Sequence, residues 1–214
     1  VRPFLLVLSS PSGGGKTTIR TRLLATRPDL GYSVSATTRA RRSGEENGRD
    51  YHFLPRDEFE ARAGAGEFLE FAEYGGNLYG TLRSEVERIF RSGRHAVLDI
   101  ELEGARQLRR TFPEAVQVFV LPPSGDELVR RLRGRNTENV SAVRRRLDHA
   151  VEELAAVGEY DYAVVNDDLE RAVAQVTAII DAESCRVARQ DGLSERVAEM
   201  RRQLLLEASR FPVS

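Results

Sequence analysis

The sequence predicts an α/β fold, an open parallel sheet flanked by helices with a mixed α+β lobe inserted into it. Three observations carry this. A short, wholly apolar run of strand length occurs at Phe4–Leu8, and Ala96–Ile100 and Val116–Leu121 are further runs dominated by apolar residues, as strands buried on both faces require. Each run is followed by a stretch with helical periodicity. The rhythm then breaks over residues 33–81, which are polar and glycine-rich.

In chain order, Phe4–Leu8 reads as the first strand. A glycine-rich turn at Ser10–Gly15 leads to a helix over about Lys16–Ala25, stopped by Pro28. The segment from Ser33 to Thr81 reads as a small lobe of antiparallel strands with one helix near Arg56–Ala63. Strand Ala96–Ile100 precedes a helix over Glu103–Arg110, and strand Val116–Leu121 precedes one over Gly125–Arg133. The densely cationic stretch Arg130–Arg146 is interrupted by Gly134–Asn139, which reads as a mobile connection between two helices. Ala163–Asn166 is the last strand, followed by a helix over about Leu169–Val187. From Gly192 onward the chain reads as a surface helix with Val197, Met200 and Leu204 on one stripe. No internal repeat or low-complexity segment is present.

A length of 214 residues suits one compact domain with small insertions. The 41% apolar share supports a core, and the formal charge of 32 − 33 = −1 excludes a generally basic nucleic-acid coat and a polybasic membrane anchor. The one cysteine, Cys185, excludes an internal disulfide framework and a cysteine-built zinc site. No apolar run approaches a membrane span or a signal peptide, so a soluble, cytoplasmic protein is expected. Lys16 is the only lysine among 32 basic residues, leaving 32 − 1 = 31 arginines. A position that keeps lysine against such a bias requires a compact ammonium on a flexible stem rather than a planar fork.

Ser10-Pro-Ser-Gly-Gly-Gly-Lys-Thr17 follows a buried strand and opens a helix. It matches the phosphate-loop pattern G-x-x-x-x-G-K-[ST], except that Ser10 stands at the first glycine. Backbone N–H groups of Ser10, Pro11, Ser12, Gly13, Gly14 and Gly15 (proline excepted), with those opening the helix at Lys16, Thr17 and Thr18, can curl around an anion. Lys16 then reaches the outer phosphates, and the Thr17 hydroxyl is placed for Mg²⁺. Asp99, at the end of a strand, occupies the position of a second acid beside the metal, with Glu101 and Glu103 on the same rim. A glycine-rich turn that happens to contain Lys-Thr, and an acid merely solvated at a strand end, are the bland readings. His52, His95 and His149 show no metal or nucleophile spacing.

The ordered motifs Ser33–Glu45, Asp50–Phe53, Glu67–Glu70, Gly76–Thr81, Leu98–Glu101, Arg131–Arg135, Arg144–Leu147 and Val165–Asp168 together resemble guanylate kinase, over about Phe4 to Ala182. The resemblance implies a P-loop NTPase-type core (1–32, 82–123 and 147–184), a GMP-binding lobe (33–81) and a helical lid (124–146), with 185–214 a helical tail beyond it. It implies an ATP:GMP phosphotransferase of guanine nucleotide recycling, with Mg²⁺ accompanying ATP and GMP or dGMP as acceptor, working as a monomer or a homo-oligomer with no nucleic-acid or membrane partner. By this resemblance Ser35, Glu70 and Thr81 hold the guanine base, with Asp99 and Glu101 close by. Arg39, Arg42, Tyr51 and Tyr79 hold the GMP phosphate, and Arg135 and Arg146 are lid arginines that act with Lys16 and Arg39 in transfer. Ser10 and Arg41 depart from the family pattern, Arg41 standing where a proline is usual.

The chemistry is coherent without the family name. Two guanidinium groups and two phenols can grip a dianionic phosphate. A carboxylate can accept from guanine N1–H and the 2-amino group, whereas adenine offers a lone pair at N1 and no 2-amino group. A noncatalytic interaction module would be expected to have lost the phosphate loop or the lid arginines, yet Lys16, Thr17, Arg135 and Arg146 are all present. A kinase for another nucleotide acceptor is the remaining alternative.

Overall fold

In a computed structural model, residues 1–133 and 140–211 are described. The chain begins with β1 (Leu5–Ser9) and α1 (Lys16–Thr26), followed by the short strands β2 (Leu30–Tyr32), β3 (Ala36–Thr37) and β4 (His52–Phe53). Next come α2 (Arg56–Gly64), β5 (Phe68–Tyr74), β6 (Asn77–Leu82), α3 (Arg83–Arg91), β7 (His95–Asp99), α4 (Leu102–Thr111) and β8 (Val116–Leu121). The chain continues through α5 (Gly125–Arg133), α6 (Val140–Ala155), β9 (Tyr162–Val165), α7 (Leu169–Ser184) and α8 (Leu193–Ala208).

Two sheets result. The larger has the order β2-β7-β1-β8-β9, and its pairs are all parallel. Alternation along β1 divides its apolar run between two cores. Phe4, Leu6 and Leu8 face α1 and α7 with Ile19, Leu23, Val118, Val176 and Ile180. Leu5 and Val7 face α3 and α4 with Val86, Ile89, Leu98 and Leu108. Covering both faces is what allows the whole run Phe4–Leu8 to be apolar. Because β1 is central, the turn after it opens beside the carboxyl ends of β7 and β8, the usual ligand crevice of open α/β sheets.

The smaller sheet has the order β4-β3-β6-β5, over a core in which Phe59 of α2 stacks on Phe68 at 4.3 Å between ring centroids. It is mixed rather than antiparallel throughout, for β4 runs parallel to β3 while β6 is antiparallel to both β3 and β5. Residues 38–50 carry the chain back across to make that parallel pair. The lobe is not independent of the main core: Leu69 of β5 belongs to the cluster containing Leu5, Val7 and Leu98. Helices α5 and α6 pair through Leu128, Leu132 and Ala150. Helix α8 buries none of its residues, and Val197, Met200 and Leu204 are all exposed.

Candidate active site

The phosphate-loop segment joins β1 to α1 through Gly15, whose φ of 100° is left-handed and whose added Cβ would lie 2.2 Å from Asn166 Nδ2. Glycine therefore serves both the conformation and the close approach. No side chain caps α1, so its first N–H groups remain available to an anion in the cleft. By contrast α7 is capped by Asp168, whose carboxylate accepts from the Arg171 N–H at 2.8 Å. Just beyond β9, Asn166 Nδ2 donates to the Gly14 carbonyl at 3.0 Å and braces the loop from behind.

Opposite the loop, the end of β7 supplies acids. Lys16 Nζ donates to Glu101 Oε1 at 2.7 Å and lies 3.6 Å from Asp99 Oδ1. Burial alone would lower the lysine pKa, but Glu101 and then Asp99 outweigh it, so the ammonium is held above its ordinary range. Burial likewise opposes ionisation of Glu101, and the Lys16 charge overcomes it. Asp99 also accepts from Arg20 at 3.2 Å and from the Thr17 hydroxyl at 3.3 Å. Glu153 of α6 joins the group. Burial first, and then the neighbouring Glu101, push its carboxyl up to about 8.

The second sheet forms the other end of the same cleft, whose volume is about 1310 Å³. Glu70 of β5 is only 5% exposed. The Thr81 hydroxyl donates to its Oε1 at 2.6 Å, across the β5–β6 pair that sets the two residues opposite each other. Burial pushes the Glu70 carboxyl up to about 7, with the Thr81 bonds opposing. Ser35, Tyr51 and Tyr79 line the cleft nearby, with the two tyrosine rings edge to face at 6.1 Å.

Of the residues singled out in the sequence, Ser10, Pro11, Ser12, Gly13, Gly15, Lys16, Thr17, Thr18, Ser35, Tyr51, Glu70, Tyr79, Asp99 and Glu101 line this one cleft. Gly14 and Thr81 are buried just behind it. Arg39 is engaged elsewhere, its guanidinium bonded twice to Glu45 at 2.7 and 3.1 Å and lying 5.4 Å from the centre of the Tyr51 ring. Arg42 is exposed, and its backbone N–H donates to the same Glu45. Arg146 is half-buried on α6, near enough to Tyr74 for its charge to act on that phenol. Arg135 lies outside the described residues.

Three further residues belong to the site. Arg131 of α5 reaches the Gly13 and Gly14 carbonyls at 3.5 and 3.4 Å. It stands in the cationic stretch, where neighbouring arginines hide it. Asn166 lies in a motif visible in the sequence, but its bracing of the loop depends on strand order. Glu153 has no local signal, since it comes from a helix some 50 residues beyond Glu101.

The guanylate kinase family model matches residues 2–183. A guanylate kinase of Rubrobacter xylanophilus is 56% identical over 176 residues, 82% of this chain and 92% of that protein. One of Paramagnetospirillum magneticum is 48% identical over 201 residues, 94% of each chain. Among solved structures, guanylate kinase from Anaplasma phagocytophilum superposes with a TM-score of 0.74 at 37% identity, covering 99% of this chain and 97% of the other. With a parallel core sheet, a phosphate loop and an acidic pocket sharing one cleft, and relatives this similar over nearly their whole length, the chain belongs to the guanylate kinase family.

Proposed function

We propose that the chain transfers the γ-phosphoryl group of ATP to GMP, giving ADP and GDP. The observation that carries this reading is the buried Glu70 carboxylate at the far end of the cleft that the phosphate loop opens into. An acceptor-only group there suits a base that presents two adjacent donors, and guanine does so through N1–H and its 2-amino group. Ser35 is the partner for O6, and Thr81 holds Glu70 in place. Arg39, Arg42, Tyr51 and Tyr79 receive the acceptor phosphate, Arg39 exchanging Glu45 for it.

At the other end, the loop from Ser10 to Thr18 binds the donor phosphates, and Lys16 leaves its acids to follow the moving charge. Arg131, Arg135 and Arg146, from the segment that serves as a lid, add positive charge where it develops and help exclude water. No covalent intermediate is needed, because alignment and charge stabilisation suffice for in-line transfer. The Thr17 hydroxyl and the Asp99 carboxylate, 3.3 Å apart, are hard oxygen donors that fit Mg²⁺. When bound with ATP, Mg²⁺ would neutralise charge on the phosphate oxygens there. Asp99 and Glu101 border the acceptor as well as the donor. The reading includes a cytoplasmic protein acting as monomer or homo-oligomer, without nucleic-acid or membrane partners; no described helix is long and apolar enough to cross a membrane.

A coupled ADP-release assay with GMP, dGMP, AMP, CMP and UMP tests the proposal. Turnover with GMP and background rates with AMP, CMP and UMP are expected, and the dGMP arm reports any demand for the 2′-hydroxyl. Equal turnover with AMP and GMP would overturn the guanine assignment.

A further inference from the structure

Helix α4 supplies none of the residues assigned above to the nucleotides, yet it is the element against which Glu70 is held. Strand β5 is an edge of the smaller sheet, so one row of its backbone groups has no neighbouring strand among the described residues. Side chains of α4 meet that row. Gln107 Nε2 donates to the Phe71 carbonyl at 2.8 Å, and the Phe71 N–H donates back to Gln107 Oε1 at 3.2 Å. One turn on, the Thr111 hydroxyl approaches the Leu69 carbonyl at 3.4 Å. The residues on either side of Glu70 are thus both bonded to α4.

The Glu70 side chain rests on the same helix. A Cβ added at Gly104 would lie 2.4 Å from Glu70 Oε2 and 3.1 Å from its Cδ. Gly104 is helical, so its conformation does not require glycine, and the tight approach of the carboxylate explains the absence of a side chain. One carboxylate oxygen is fixed by Thr81 and the other by the floor that Gly104 leaves open.

We infer that α4 determines base specificity, with Gly104 and Gln107 as positioning residues that set where the Glu70 carboxylate stands. The inference rests on the proposed reading of Glu70 as the guanine acceptor. Its chemical consequence is narrow. A carboxylate accepting two bonds requires both oxygens in register with N1–H and the 2-amino group, and a small displacement spoils the second bond before the first.

IMP isolates that second bond, because it keeps the phosphate, ribose, O6 and N1–H of GMP and lacks only the 2-amino group. The experiment measures kcat/KM for GMP and IMP, at saturating ATP, in the wild type and in Gln107→Ala, Gly104→Ala and Leu108→Val. Leu108 is fully buried on the same helix and faces the main core, so its variant controls for destabilisation alone. In the wild type, one bond to a charged acceptor should favour GMP by roughly ten- to 200-fold. Gln107→Ala and Gly104→Ala should each reduce that ratio by about fivefold or more, mostly by raising the KM for GMP with little change in kcat. Leu108→Val should lower the melting temperature and leave the ratio unchanged.

An unchanged ratio in both α4 variants, or an equal fall in Leu108→Val, would overturn the inference while leaving the guanine reading intact. A wild type that phosphorylates GMP but does not prefer it to IMP would overturn the inference at its base. No turnover of GMP at all would overturn the proposed function itself.

Discussion

Replacing Lys16 should separate its contribution to turnover from its contribution to the fold. Its ammonium, 14% exposed, faces Glu101 at 2.7 Å and Asp99 at 3.6 Å. Lys16→Met removes the ammonium that donates to Glu101 at 2.7 Å. The resulting cost has a ceiling, since the acid can take a proton instead of remaining charged. Protonation at pH 7 of a carboxylate that ordinarily titrates near 4.5 costs about 3.4 kcal/mol. Glu101 is 44% exposed, and water screening reduces the expected loss to about 1–2 kcal/mol. The sign with pH follows from Glu101 being held below its ordinary value. Its contribution is present above the unfolded pKa and lost as pH falls through the folded one, so wild type and Lys16→Met should converge in stability toward acid pH. Turnover should fall about a hundredfold or more, as when one preorganised charge stabiliser is removed. Lys16→Arg keeps the charge and should fold with near wild-type stability, yet lose turnover similarly because a planar fork cannot replace a point charge on a flexible stem. Urea unfolding at pH 7 and at a series of pH values below 4.5, with kcat at saturating ATP and GMP, measures both quantities. Near-normal turnover in Lys16→Arg would refute the reasoning and make the lone lysine an accident of composition.

Glu70→Gln should lower kcat/KM for GMP by roughly ten- to 200-fold, because Thr81 selects the amide oxygen and turns the NH₂ toward a base that also donates; Ser35→Ala should cost less, and unchanged efficiency in Glu70→Gln would remove Glu70 from the base site. The Glu70 carboxyl is raised to about 7 and must be ionised to accept two bonds. Inhibition by guanosine, which has no titrating phosphate, should therefore weaken by about tenfold per pH unit below that value and level off above it; a flat profile between pH 5.5 and 8 would contradict this. Arg131→Ala and Arg146→Ala should lower kcat with little change in GMP affinity; a loss confined to GMP binding would place these arginines at the acceptor.

The main sheet was legible because β1, β7 and β8 are dominated by apolar residues, as two-sided burial requires, and Phe4–Leu8 is apolar without a break. Short elements escaped for the same reason. Strand β2 consists of Leu30, Gly31 and Tyr32, and it is a strand only because it pairs with β7 from Leu30 opposite His95. Helix α3 buries just Val86 and Ile89 among charged neighbours, and it follows β6 without a turn signal. The two-residue strands β3 and β4 are too short to show alternation, so their parallel pairing could not be anticipated. At the site, the phosphate loop announces itself because one continuous segment makes it. The Lys16–Glu101–Glu153 grouping joins three distant segments, and the capture of Arg39 by Glu45 depends on a loop shape that local pattern does not specify.

The ion pair that holds Lys16 has a chemical consequence for the whole molecule. This sequence contains one ε-amine, and the fold keeps it protonated against two acids. Acylating reagents attack only the unprotonated amine, so the resting protein offers them almost no lysine chemistry. Every other basic side chain apart from the histidines is a guanidinium, which holds its proton far above neutral pH. The positive half of the surface charge is therefore nearly constant across the alkaline range, where a lysine-rich relative would begin to lose its own. Any acyl group, cross-link or imine found on a lysine of this chain has a single address, the phosphate loop, and its appearance reports that the amine there has come free of its acids.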